Sequence, residues 1–234
     1  GADINGRGQG DNSGISVSMT PDGSKFAIGA PSVGYGEGYV RVFEYSNNSW
    51  SQIGEDIQGA GLTDGFGESV SISDDGTVLV VGSPRISATD TPATGGQQIG
   101  QVSVHRWNGS AWTNEAYFNG NFASGYTGKS VDISGDGNTI IYGANEGLRG
   151  DVSSWEGLMK VWKFNGTAWA ESGDLNTARR KGAGFGIQTA CVAAGGIPSN
   201  SDVEEYNGTS WTEVTNMPAA RSAFDGAGIL TDGI

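Results

Sequence analysis

Gly67-Glu-Ser-Val-Ser-Ile-Ser-Asp-Asp-Gly-Thr-Val-Leu-Val-Val-Gly-Ser-Pro84 decides the fold class. Ser69 to Ile72 alternates small polar with apolar side chains, the period of a strand. Asp75-Gly76 then marks a tight turn, because glycine enters positive φ without a Cβ penalty. Val78 to Val81 then reads as a second strand. The unit is a β-hairpin.

The same phrase occurs twice more. Gly14-Ile-Ser-Val-Ser-Met-Thr-Pro-Asp-Gly-Ser-Lys-Phe-Ala-Ile-Gly-Ala-Pro31 precedes it, and Gly128-Lys-Ser-Val-Asp-Ile-Ser-Gly-Asp-Gly-Asn-Thr-Ile-Ile-Tyr-Gly-Ala-Asn145 follows. A second hairpin comes after each copy. Its first strand is Tyr39-Val-Arg-Val-Phe-Glu-Tyr45, Gln101-Val-Ser-Val-His-Arg-Trp107 or Leu158-Met-Lys-Val-Trp-Lys-Phe164. Each runs into a turn and then a tryptophan, at Trp50, Trp112 and Trp169, and a fourth copy runs from Val203 to Trp211. Two hairpins per repeat make a four-stranded antiparallel unit. One such unit cannot bury both its faces, so neighbours must stack.

Four-stranded antiparallel repeats of this length predict an all-β chain, a β-propeller of four-stranded antiparallel blades. The expected domain is one propeller over residues 1–234, with four whole blades near 14–57, 66–118, 125–173 and 183–217. Residues 1–13 and 218–234 are expected as partial strands of a terminal blade, with four or five blades in the ring. Ala2-Asp-Ile-Asn-Gly6 repeats the pattern of Glu55-Asp-Ile-Gln-Gly59, and Gly226-Ala-Gly-Ile229 restarts the phrase that opens the fourth unit. The chain is therefore expected to start in an outermost strand and stop in an innermost one, as a processed or partial piece would. The repeated tryptophans are expected between blades as core; sugar-stacking platforms are the alternative.

Composition agrees with many turns around a packed core. There are 41 glycines and six prolines, and the glycines separate apolar runs. Thirteen basic against 26 acidic residues leave a net charge of −13. Such a surface repels phosphate backbones, so nucleic acid is not an expected partner. A lone cysteine, Cys191, rules out an internal disulfide, and its small-residue setting points to packing. No stretch is long and apolar enough for membrane insertion by a helix.

Residues 14–172 resemble FG-GAP repeats, the blades of integrin α-subunit propellers and of many bacterial surface proteins. Phe66-Gly-Glu-Ser-Val-Ser-Ile-Ser-Asp-Asp-Gly76 and Val80-Val-Gly-Ser-Pro84 carry that resemblance. Residues 173–234 resemble kelch blades instead, through Thr177-Ala-Arg-Arg-Lys-Gly-Ala-Gly-Phe-Gly-Ile-Gln-Thr-Ala190, Ala194-Gly-Gly196 and Glu204-Glu-Tyr-Asn-Gly-Thr-Ser-Trp-Thr212. They look most like the Asn-Gly-Thr-Ser-Trp repeats of predicted structural proteins from marine phages and bacteria.

Several residues are candidate sites. Asp3-Ile-Asn-Gly-Arg-Gly-Gln-Gly-Asp11 resembles the calcium loop of some FG-GAP blades, which implies Asp3, Asn5 and Asp11 as metal ligands. Arg7 stands where that loop needs an oxygen donor, so a plain turn is the expected reading. No other cofactor is expected. The long loops Pro84 to Gly100 and Ala144 to Gly157 share one face of a propeller, where recognition concentrates. Arg85, Arg149, Asp151 and Trp155 are the candidate ligand-binding residues there, packing against neighbouring loops being the alternative. Arg149-Gly-Asp151 also spells an integrin-recognised tripeptide, a match short enough to arise by chance. Asn47, Asn108, Asn165 and Asn207 head glycosylation sequons that are also the turns the repeat needs.

Catalysis has little to build on. The single histidine, His105, lies in an alternating strand and is expected at its surface. Without a second histidine no histidine metal cluster can form, and any Ser-His-Asp or Cys-His pair must pass through it. The expected role is a non-enzymatic binding or assembly module of an extracellular particle or cell surface, as a phage virion component or a bacterial adhesin. Its expected partner is a protein or glycan surface, with a homo-oligomer or larger assembly as its form. A carbohydrate-active lyase or glycosidase on the same scaffold is the rival.

Overall fold

The computed structural model describes residues 3–31, 37–62, 64–87, 98–120, 124–144, 158–176, 183–187, 190–196, 201–208 and 210–221. All elements among them are strands, arranged in four antiparallel sheets. The first sheet orders β1 (Ser16–Met19), β2 (Lys25–Ala30), β3 (Glu37–Ser46) and β4 (Ser49–Gln52), with β5 (Ile57–Leu62) also paired to β3. The second orders β6 (Ser69–Ile72), β7 (Val78–Ser83), β8 (Gln101–Trp107) and β9 (Trp112–Asn119). The third orders β10 (Ser130–Ile133), β11 (Thr139–Ala144), β12 (Leu158–Phe164) and β13 (Trp169–Asp174). The fourth orders β14 (Ala183–Ile187), β15 (Ala190–Ala194), β16 (Val203–Tyr206) and β17 (Trp211–Glu213). Each sheet is open, with two edge strands.

Side-chain chemistry sets the turns. In the Asp-Gly hairpins only the glycine is left-handed, with φ of 70° at Gly23, 66° at Gly76 and 69° at Gly137. The aspartate contributes its carboxylate instead, since Asp75 accepts from the Thr77 amide at 2.9 Å and the Ser73 hydroxyl at 2.7 Å. In the Asn-Gly turns, Asn108 Oδ1 accepts from the Ser110 and Ala111 amides, and Asn165 Oδ1 from those of Thr167 and Ala168. These two sequon amides are therefore engaged in shaping their turns.

The fourth strand of the first sheet is split. β4 and β5 both pair with β3, because residues 54–56 loop out between Ile53, whose amide donates to the Val42 carbonyl at 2.9 Å, and Ile57, opposite Val40. The second sheet has a register shift at the matching place, between Val104 and His105, and the third has one between Val161 and Trp162. A bulge in two copies is an excursion in the third.

Three apolar clusters join the sheets in series. Ala27, Val40, Val42 and Ile57 of the first meet Val70, Ile72, Leu79 and Val81 of the second. Val78, Val80, Val102 and Val104, on the other face of the second, meet Ile133, Ile140 and Tyr142 of the third. Val161 of the third meets Ala193, Tyr206 and Trp211 of the fourth. Every residue of β7 is thus buried, which explains its unbroken apolar run. Trp112, Trp169 and Trp211 each lie in the cluster shared with the preceding sheet. The Trp112 indole also donates to the Ile53 carbonyl of the first sheet at 3.2 Å.

Candidate functional site

His105 is buried, not at the surface where the alternation of its strand placed it. In a stack, the face of β8 opposite Val102 and Val104 meets the first sheet, so Ser103 and His105 are enclosed there. The Phe66 ring stands edge-on to the imidazole at a centroid distance of 6.0 Å, and Nε2 lies 3.0 Å from Ser103 Oγ. Burial lowers the His105 pKa to about 4, so the ring is neutral at pH 7. The corresponding residue is Phe43 in the first sheet, Trp162 in the third and Glu204 in the fourth. Glu204 is fully buried, and its Oε2 accepts from the Asn176 amide at 2.6 Å and side chain at 2.9 Å.

His105 forms part of a cleft of about 500 Å³ between the outer strands of the first two sheets, lined also by Glu55, Asp56, Gln58, Trp112 and Asn114. The excursion at residues 54–56 opens it by lifting Glu55 and Asp56 away from β3. A Cβ on Gly54 would strike the Trp107 and Trp112 rings, so the loop lies directly on the indoles. Asp56 is held by the Arg7 guanidinium and by Gln52 Nε2, the latter at 2.6 Å. Hydrogen-bonding groups beside an indole suit a hydroxyl-rich ligand.

Of the loop candidates, Arg85 is described, while Arg149, Asp151 and Trp155 lie outside the described residues. Arg85 pairs with Glu68 at 2.7 Å, and Lys129 of the next repeat holds the same carboxylate. The Arg85 amide donates to the Asp64 carbonyl at 2.9 Å. The cluster ties the start of one long loop to the residues just before β6 and β10.

Asp3, Asn5 and Asp11 belong to a segment lying against β3. The Tyr39 hydroxyl donates to Asp11 Oδ2 at 2.6 Å, and the Gly8 and Ser13 amides donate to the same carboxylate at 3.1 Å each. Desolvation acts against these bonds, but they hold the Asp11 pKa below the ordinary value. Arg41 donates to the Asn5 carbonyl at 2.7 Å, and the Arg7 guanidinium lies over the Tyr39 ring. This donor set suits a hydrogen-bonded turn better than calcium. Three donors already occupy much of the Asp11 carboxylate, and a cationic side chain occupies the loop. Among the described residues no group of three His, Cys, Asp or Glu could hold a metal.

Cys191 is half-buried beside Ala193 and Tyr206, and desolvation raises its pKa to about 11. The thiol is therefore protonated, a poor nucleophile. Compared with known protein families and with curated proteins, the chain matches none.

Proposed function

We propose that this chain is a propeller-type repeat scaffold that binds or assembles without catalysis at an extracellular particle or cell surface, as a virion component or an adhesin. One observation carries the reading. The first two sheets form a cleft in which Gln58 and Asn114 lie beside Trp112, groups suited to hold hydroxyls. The residues with intrinsic reactivity support it from the other side. His105 is neutral and enclosed, and Cys191 is protonated. The repeat phrases that resemble FG-GAP and kelch blades favour a propeller arrangement, and the serial stacking of four sheets is what such an arrangement requires.

The test is glycan-array binding by the intact chain, repeated with Gln58→Ala and Asn114→Ala, alongside turnover of a polysaccharide panel. Retention on defined glycans, weakened by the two substitutions and without turnover, is expected. Steady depolymerisation of any polysaccharide overturns the reading in favour of the lyase or glycosidase. Co-purification with virions or surface filaments tests the location.

A further inference from the structure

The cleft between the first two sheets presents acceptors almost alone, because its neutral donors are turned into the protein. The Trp112 indole donates to the Ile53 carbonyl at 3.2 Å. Asn114 Nδ2 donates to the Val104 and Ala116 carbonyls, each at 3.4 Å, which leaves Oδ1 unengaged. Ser110 donates through both its amide and its hydroxyl to Asn108 Oδ1, each at 3.0 Å. Among the described residues, Gln58 is the one lining side chain whose donors stay unengaged.

His105 follows the same rule. The Ser103 hydroxyl donates to the Val81 carbonyl at 3.5 Å, so its oxygen accepts from Nε2–H at 3.0 Å. The ring proton is thereby placed on Nε2, and Nδ1 is an acceptor with no protein partner among the described residues. The side chain is only 6% exposed and yet lines the cleft. An enclosed acceptor without a donor is costly, and a donor on a bound ligand would relieve that cost.

Charge acts in the same direction. Glu55 is exposed and has no ion pair or hydrogen bond among the described residues. Asp56 is held by Arg7, but Arg7 lines the neighbouring hollow beside Gln52 and not this cleft. No lysine or arginine among the described residues lines the cleft, and the chain as a whole carries a net charge of −13. Such a field attracts cations and repels carboxylates. The Trp112 ring adds to this, since an aromatic face also attracts cations.

An ammonium group is the complement of such a site, with three donors, a positive charge and no acceptor. A uronic acid brings acceptors and the wrong charge, and N-acetylation of an amino sugar removes the charge. We infer that the cleft takes amino sugars whose amine is free and protonated, with Glu55 as counter-charge and Asn114 Oδ1 and His105 Nδ1 as acceptors. This specificity rests on the glycan-binding reading and narrows it from hydroxyl-rich ligands in general to cationic ones.

The test is calorimetric titration of the intact chain with a glucosamine trisaccharide, its N-acetylated counterpart and a galacturonate trisaccharide. Physiological ionic strength screens distant charges, and at about pH 6 the sugar amine is protonated while His105 is still neutral. The glucosamine trisaccharide is expected to bind more tightly than the N-acetylated one, and the galacturonate not at all. Glu55→Gln should weaken glucosamine binding roughly fivefold, the scale of one exposed ion pair. Glu213→Gln, an exposed carboxylate on β17 of the fourth sheet, should leave it unchanged. Equal losses in the two variants would mean attraction by overall charge and would overturn the inference. Binding of the N-acetylated or galacturonate trisaccharide at least as tight as that of glucosamine would overturn it too, with glycan binding itself upheld. Binding of none of the three overturns it as well, while the glycan array decides the broader reading separately.

Discussion

The Ser69 hydroxyl donates to the Gly128 carbonyl at 2.8 Å, joining β6 of the second sheet to the chain entering the third. Ser16 makes the same bond to Gly67 one repeat earlier. The acceptor can come this close only because Gly82, opposite Ser69, has no side chain. A Cβ at Gly82 would meet both the Gly128 carbonyl and Ser69 Oγ, and one at Gly29 would meet Gly67 and Ser16 in the same way. One stacking geometry is thus used twice.

Gly82→Ala should therefore push the second and third sheets apart. Overpacking of this kind costs about 1–3 kcal/mol, read as a lower midpoint in urea denaturation. Gly8→Ala is the control, because nothing lies within 4 Å of a Cβ there. It should leave the midpoint unchanged.

His105 makes stability depend on pH. Its folded pKa is about 4, below the 6.5 of the free side chain. As pH falls from 6.5 towards 4 the unfolded chain takes up a proton that the folded chain does not, so stability declines across that window. The full loss from this residue is roughly 3 kcal/mol. His105→Phe, which places the residue of the first sheet at this position, should flatten the decline in denaturation midpoints measured from pH 7 to pH 4.5.

The tryptophans should not be equivalent. Trp169 packs on Phe118 of the preceding sheet and donates to Glu115 at 2.8 Å. Among the described residues, Trp50 has ring contacts only with Phe26 and Tyr45 of its own sheet. Trp169→Ala should cost on the order of 3 kcal/mol, and Trp50→Ala about 1 kcal/mol. Thermal unfolding of the two variants gives the comparison.

The hairpins were legible because Asp75-Gly76 and Asn108-Gly109 are local chemistry, complete within four residues. The environment of His105 was not. Val-Ser-Val-His reads as a half-exposed strand, whereas stacking covers both of its faces. Setting the repeats side by side supplies the missing signal, since Phe43 and Trp162 occupy the same position as His105. The cleft was hidden for another reason. Gln58 and Asn114 come from different sheets, and only packing brings them together. The oxygen pattern of Asp3, Asn5 and Asp11 was visible in sequence, but not that Tyr39, 28 residues on from Asp11, would donate to that carboxylate.

Amide hydrogen exchange at Ile72 and Ile133 tests the stacking most directly. Both residues lie on the first edge strand of their sheets and donate to a serine hydroxyl of the neighbouring sheet, the Ile133 amide sharing its proton with Asp132 Oδ1 at 2.9 Å. Slow exchange at both amides, accelerated at Ile72 by Ser18→Ala, is the predicted result. Exchange at both as fast as in the exposed turn at Gly109 would contradict face-to-face assembly of the sheets.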